Sequence, residues 1–217
     1  MLDFHTHTTL SDGALLPAEL IQRAQTAGYR AVGLTDHIDA GTLEFTLSTL
    51  QRTCRETNPH TAIVAIPGVE ITHVPPATLA DCASAARAMG ARLVIVHGES
   101  IVEPVPPGTN AAAVEADIDL LAHPGLIDEE TVRTAKKRGI FLELSARRGH
   151  CLGNGRLVQW ARKLDALDLL VISSDAHTPE DLLNPERQHA VALGAGLTER
   201  EYEQIRMNLT RLLERIT

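Results

Sequence analysis

Seven short, continuous apolar runs alternate along this chain with amphipathic stretches, and that alternation constrains its fold more than any other feature. The runs are Leu2–His5, Ala31–Thr35, Ile63–Glu70, Arg92–His97, Ile118–Ala122, Ile140–Leu144 and Leu169–Ser173. Being continuous rather than alternating, they read as strands buried on both faces, as in a parallel sheet. Between them, Pro17–Ala27, Leu43–Arg55, Thr78–Met89, Ala111–Glu115, Glu129–Lys137 and Asn154–Leu164 read as helices. Pro17 suits a first helical turn, and Gly28, Gly90 and Gly139 follow helical stretches as C-terminal caps do. A last helix, about Glu199–Ile216, begins after the cap residue Thr198. The strand–helix unit recurs about every 30 residues, the size of a βαβ unit. Seven units predict a parallel (β/α) barrel close to the eight-stranded type, ahead of a doubly wound sheet. The first βα turn reads His5-Thr6-His7 with no GxGxxG, so a dinucleotide site is not supported.

The 217 residues show no composition break, which predicts one domain over 1–217. Hydrophobic residues at 44% and charged residues at 22% exclude a disordered chain. Aromatics at 3% leave Leu, Val, Ile and Ala to build the core. A net charge of -8 argues against an extended nucleic-acid partner. Cys54, Cys82 and Cys151 form no CxxC pair and no disulfide framework, which points to a reducing cytoplasm. The first residues carry no basic or apolar leader pattern, and no apolar run approaches the ~18 residues of a membrane span, so no membrane partner is expected.

The polar residues at the ends of the runs carry the chemistry. His5 and His7 follow the first, with Asp12 in Ser11-Asp12-Gly13; Asp36 and His37 follow the second. Glu70 ends the third, His97 the fourth, and His123 follows the fifth within Ala122-His123-Pro124. Glu143 lies within the sixth, and Asp175 and His177 follow the seventh. In a parallel barrel such positions converge on the C-terminal face. Imidazole and carboxylate are ligands of zinc, manganese and iron. His5 and His7, two apart at a strand end, point to one side and suit one ion. Glu70 or Asp175 could bridge two ions. One tetrahedral ion takes four ligands, whereas nine strong candidates stand on this rim, so two or three divalent ions are expected. Singly, each piece has a structural reading: a surface HxH, a core His before a turn, an Asp helix cap. Their order at successive strand ends is what points to metal.

Taken in order, His5-Thr6-His7, Ser11-Asp12-Gly13, Thr35-Asp36-His37, Gly68-Val69-Glu70, His97, Ala122-His123-Pro124 and Ser174-Asp175-Ala176-His177 resemble the PHP (polymerase and histidinol phosphatase) superfamily, from residue 3 to about 180. The resemblance implies a distorted seven-stranded parallel (β/α)7 barrel and a trinuclear site. One ion would be held by His5, His7, Glu70 and Asp175. A second would share Glu70 and take His97 and His123. A third would take Asp12, His37 and His177. The implied activity is hydrolysis of a small phosphomonoester by a metal-activated hydroxide, with histidinol phosphate a leading substrate. Rival readings are a phosphodiesterase or exonuclease on short nucleotides, an amidohydrolase-like C–N hydrolase, and a non-enzymatic metal-binding module. Amidohydrolases often bridge their metals with a carboxylated Lys, and Lys136, Lys137 and Lys163 all fall in helical stretches here.

Arg147 and Arg148 follow the run that offers no assigned ligand, and their guanidinium forks suit substrate phosphate. Only one of the two need face the site, since neighbours in an extended segment point oppositely. His150 is the candidate general acid, and Glu143 a residue that orients a ligand. Glu99 and Glu103 either meet a cationic part of the substrate or are solvated. The segment Gly98–Asn110, with Pro104, Pro106 and Pro107, is a lid or a stiff connector. His60, His73 and His189 are placed outside the ligand set, with His73 near enough to graze the site.

Overall fold

The apolar runs become strands with a distinct role for each face. The computed structural model describes residues 1–217. The strands are β1 (Leu2–Asp3), β2 (Ala31–Leu34), β3 (His37–Ile38), β4 (Val64–Ile71), β5 (Leu93–His97), β6 (Leu120–Ala122), β7 (Phe141–Ser145) and β8 (Leu170–Ser173). All pair in parallel in the order β1-β2-β4-β5-β6-β7-β8. Short β3 also pairs with β4, and in the register of β2: Leu34 faces Pro67 and His37 faces Glu70. β2 and β3 are therefore one strand interrupted at Thr35-Asp36. There the Thr35 N–H turns to the Thr6 carbonyl while the Asp36 carbonyl accepts from Glu70. A Thr6–Ala176 bridge joins the first and last strands, so the sheet is a nearly closed barrel of seven strands, as the sequence predicts.

Along each strand, alternate residues face in and out. Outward-facing Val94, Val96, Leu121, Leu142, Leu144, Leu170 and Ile172 join the larger apolar cluster with the helices. Inward-facing Ile66, Leu93, Ile95, Leu120, Phe141 and Val171 form a second cluster with Leu2, Phe4 and Ala31. Farther along the same inner face the residues turn polar: Glu70 after Ile66, His97 after Ile95, Glu143 and Ser145 after Phe141, Ser173 after Val171. An apolar plug thus underlies a polar layer, and the strands carry both.

The helices are α1 (Pro17–Thr26), α2 (Leu43–Thr57), α3 (Pro76–Ala88), α4 (Thr109–Glu115), α5 (Glu129–Arg138), α6 (Asn154–Lys163), α7 (Pro185–Gly194) and α8 (Glu199–Ile216). Sequence reading set no bounds on α7; it starts where Asn184 accepts from the Arg187 N–H, with Pro185 at the first helical position. Thr198 and Glu201 form a capping box at the start of α8. Leu209, Leu212 and Ile216 of α8 pack into the inner apolar cluster, closing the base of the barrel. No helix is long and apolar enough to cross a membrane.

Asp3 sits at the seam between first and last strands, fully buried. It accepts from the His5 N–H at 3.3 Å and the Ser174 N–H at 3.2 Å. Burial pushes its carboxyl up to about 6, only partly offset by those donors. The folded state therefore favours the protonated acid, and this stability is lost as pH rises from about 4 through 6. Asp3→Asn keeps an acceptor without a charge. Its stability relative to the native chain is expected to grow across that window by on the order of 3 kcal/mol and then level off. Denaturant unfolding of both proteins at pH 4, 6 and 8 checks this; a pH-independent difference would place the charge penalty elsewhere.

Candidate metal centre

The polar layer gathers eight of the ten histidines: His5, His7, His37, His73, His97, His123, His150 and His177 stand in a chain of ring contacts. Glu70, brought up by β4, stands among them. Its Oε1 lies 3.2 Å from His5 Nε2 and 3.5 Å from His123 Nε2. Its Oε2 lies 2.7 Å from His37 Nδ1 and 3.6 Å from His7 Nε2. Asp175 stands opposite, with Oδ1 3.3 Å from His7 Nε2 and Oδ2 3.7 Å from His123 Nε2. To one side, Asp12 Oδ1 is 3.1 Å from His177 Nε2 and 3.5 Å from His37 Nε2.

All nine residues assigned to metal thus meet at one end of the barrel. Several sets place their donor atoms within 4.8 Å of one another: His5, His7 and Glu70; His5, His123 and Asp175; and His7, Asp12, His37 and His177. A further set joins His97 and His123 to His150, and another joins His97 to His73 and Glu103. His60 and His189 lie elsewhere; His189 Nε2 is 2.8 Å from Glu199. His73, left out of the ligand set on sequence grounds, stands 3.5 Å from Glu103.

The surrounding residues hold these donors in place. Glu143 Oε1 is 2.8 Å from His5 Nδ1, and its Oε2 accepts from the His123 N–H. Asp36 accepts from the Thr8 N–H, the Thr8 hydroxyl and the Ser11 hydroxyl, so it shapes the turn between His7 and Asp12. At Gly13 in that turn, a Cβ would run into the His7 carbonyl. His123 and Asp175 both have positive φ, 24° and 52°, which non-glycine residues adopt at a cost that surrounding structure must hold in place. Glu99 and Asn110 bond each other's backbone N–H, stapling the ends of the proline-rich segment, whose Glu103 reaches His97 at 3.0 Å and His150 at 3.3 Å. Sequence patterning missed this role of Glu103 because it stands on a loop rather than at a strand end.

Seven buried donor atoms here lack a hydrogen-bond partner: His5 Nε2, both nitrogens of His7, both oxygens of Glu70, His123 Nδ1 and Asp175 Oδ2. The 2.7 Å approach of His37 Nδ1 to Glu70 lacks hydrogen-bond alignment; that nitrogen is also 2.7 Å from Thr72 Oγ1. Orphaned buried polar atoms are costly, and this many in one place fit cations rather than protein partners. Charge tells the same story. Burial, with Glu70 and Glu143 nearby, raises Asp175 well above the usual carboxylate range. At Glu70 burial alone would raise the carboxyl, but His5 and His37 outweigh it and hold it well below. Burial and the neighbouring His37 push His7 down. Imidazole and carboxylate donors so arranged suit divalent ions of the zinc, manganese and iron type.

A cavity of about 220 Å³ opens onto this layer, with no hydrophobic residue in its wall. Arg147 lines it and donates to the Asp175 carbonyl at 3.3 Å. Arg148 is exposed and does not line it. Burial, and then the charge of His123, push His150 down to about 3, so the imidazole is neutral near pH 7 rather than a ready acid. A larger cavity, about 490 Å³, opens at the other end of the barrel between α7 and α8 and holds none of the assigned residues.

Barrel and donor layer together define a metal-dependent hydrolase. The chain belongs to the PHP-domain family, whose model matches residues 3–180. It is 43% identical over 217 residues to an uncharacterized protein of Methanocaldococcus jannaschii, covering 99% of each chain. In fold it is similar to the histidinol phosphate phosphatase of Lactococcus lactis, solved with zinc, L-histidinol and phosphate (TM-score 0.62, 14% identity, 91% of this chain and 94% of that one). It is also similar to a probable 2-pyrone-4,6-dicarboxylic acid hydrolase of Acinetobacter baumannii (TM-score 0.57, 13% identity, 98% of each). At such identities the likeness is one of fold.

Proposed function

We propose that this protein is a metal-dependent phosphatase of small phosphomonoesters, working in the cytoplasm. The observation that carries the reading is Arg147, the one guanidinium in the wall of a wholly polar cavity that six of the nine residues assigned to metal also line. A guanidinium cannot ligate a cation, but it forks onto phosphoryl oxygens. The phosphate held by the Lactococcus lactis enzyme of similar fold supports the same choice. The lysines argue against a carboxylated-lysine bridge of the amidohydrolase type: Lys136 bonds Leu164 and Asp165, Lys163 pairs with Glu129, and all three lysines stand on the outer helices α5 and α6, none lining the cavity over the donor layer.

His5, His7, Glu70 and Asp175 would hold one ion, Glu70 with His97 and His123 a second, and Asp12, His37 and His177 a third. The chemistry that such ions supply is activation of water near neutral pH and polarisation of phosphoryl oxygens. The chain's own contribution is orientation and charge. Glu143 holds His5 Nδ1, so Nε2 faces the centre. Arg147 binds the phosphoryl oxygens and stabilises charge that builds there during transfer. The small cavity supports a small phosphorylated partner rather than an extended polynucleotide.

Chelator-stripped protein, reloaded with zinc, manganese or iron, should hydrolyse a phosphomonoester, histidinol phosphate first among them. Stripped protein should be inactive. The panel should include a phosphodiester and an amide; turnover confined to either of those would overturn the assignment.

A further inference from the structure

We infer that His150 is a direct ligand of the ion assigned to His97, His123 and the shared Glu70, and that Glu103 of the proline-rich loop faces the same ion, adding a third imidazole and a second carboxylate. This deepens the metal-dependent reading above and rests on it.

Three of the histidines at strand ends, His5, His97 and His177, share one construction. Each of these turns Nδ1 to a fixed partner and leaves Nε2 toward the centre. His5 Nδ1 lies 2.8 Å from Glu143 Oε1, His97 Nδ1 3.1 Å from the Gly98 carbonyl, and His177 Nδ1 3.0 Å from the Asp175 carbonyl. Metal-binding histidines are held this way, because a partner on one nitrogen fixes both the tautomer and the ring. His150 is built alike, though it comes from a loop. Its Nδ1 is 2.7 Å from Ser100 Oγ, and its Nε2 is 3.3 Å from Glu103 Oε1. The ring is 5% exposed and stacks on His123 with centroids 4.1 Å apart. One donor atom from each of His97, His123 and His150 lies within 4.8 Å of the others.

The neighbouring backbone serves this placement. Gly149 adopts φ 87°, and a Cβ there would crowd Val102 of the same loop at 3.1 Å. Ser100, Val102 and Glu103 therefore meet the Gly149-His150 turn as one surface. Glu103 Oε2, 3.0 Å from His97 Nε2, and Glu103 Oε1, beside His150, span two of the three imidazoles. A proton donor to a leaving group needs a free N–H facing the substrate, and both ring nitrogens of His150 already face protein oxygen atoms. Together with the shared Glu70, the residues His97, His123, His150 and Glu103 make a set of five nitrogen and oxygen donors, of the kind a zinc-type ion takes.

The test is stepwise removal of zinc from fully loaded protein by a competing chelator, with bound zinc counted at each step. His150→Ala should release one ion at least ~100-fold more readily than the native chain, leaving the others unchanged, since loss of a mere supporting bond costs about 10–100-fold. Ser100→Ala should weaken that same ion by about 10-fold. Glu103→Gln, on an exposed loop where folding is not at stake, should weaken it as well. Cobalt in place of zinc gives a second readout: the visible absorption of one ion should change in His150→Ala and in Glu103→Gln. Native release profiles in both His150→Ala and Glu103→Gln would overturn the inference while leaving the metal centre standing. So would lost turnover in His150→Ala with every ion retained. A native chain that takes up no zinc or cobalt would instead overturn the metal-dependent reading itself.

Discussion

Glu70→Gln is expected to strip the centre of the ions that share this carboxylate and to lower phosphomonoester turnover about 1000-fold or more. The drop corresponds to the several kcal/mol that metal chemistry contributes to such a transition state. The reason is position. Oε1 faces His5 and His123 while Oε2 faces His37 and His7, so one side chain addresses two flanks of the donor layer. Neither oxygen has an aligned protein hydrogen bond to fall back on. The amide keeps the shape but loses the charge that offsets the ions. Elemental analysis after gentle purification, with kinetics on the same sample, decides the matter. Full metal content in Glu70→Gln would show that Glu70 is not shared. Since metal binding can be coupled to folding, circular dichroism of the variant must show that the barrel persists.

Arg147→Ala should keep every ion and lose about ten- to more than a hundredfold in kcat/KM toward a phosphomonoester. That is the cost of losing a charge-assisted bond, on the order of 1.5–3 kcal/mol. Arg148→Ala should change little, because Arg148 is exposed while Arg147 lines the cavity. The contrast between neighbours is the informative part. Equal losses in both would mean a general electrostatic effect rather than a fork on phosphate. Loss of metal in Arg147→Ala would mean that its contact with Asp175 supports the centre instead of the substrate.

Some roles could not be read along the chain. Asp36 stands beside His37 at the end of the second run with no role assigned to it, and its oxygens hold Thr8 and Ser11. Asp3 is an unremarked acid in the first apolar run, yet it lies buried where the barrel closes on Ser174, 171 residues away. Glu103 and Ser100 sit in a segment whose prolines say only that it is not helical, and their partner His150 is 50 residues from Ser100. The break between β2 and β3 is hidden within one continuous apolar run and its polar end. In each case the deciding partner is distant in sequence, and no local pattern encodes it.

The sequence by itself determined the number of strands, their parallel direction and the end of the barrel at which the donors stand. Strands buried on both faces must be continuously apolar, and a polar residue that ends such a run must emerge at its C-terminal edge. Those are one-dimensional facts. The tertiary structure alone decided that α8 fills the base of the barrel, that Arg147 rather than Arg148 enters the cavity, and that His150 and Glu103 meet beside His97. Each depends on the path of a loop or the docking of a helix. Side-chain alternation orders the residues within a strand, but it leaves the course of the chain between strands to packing.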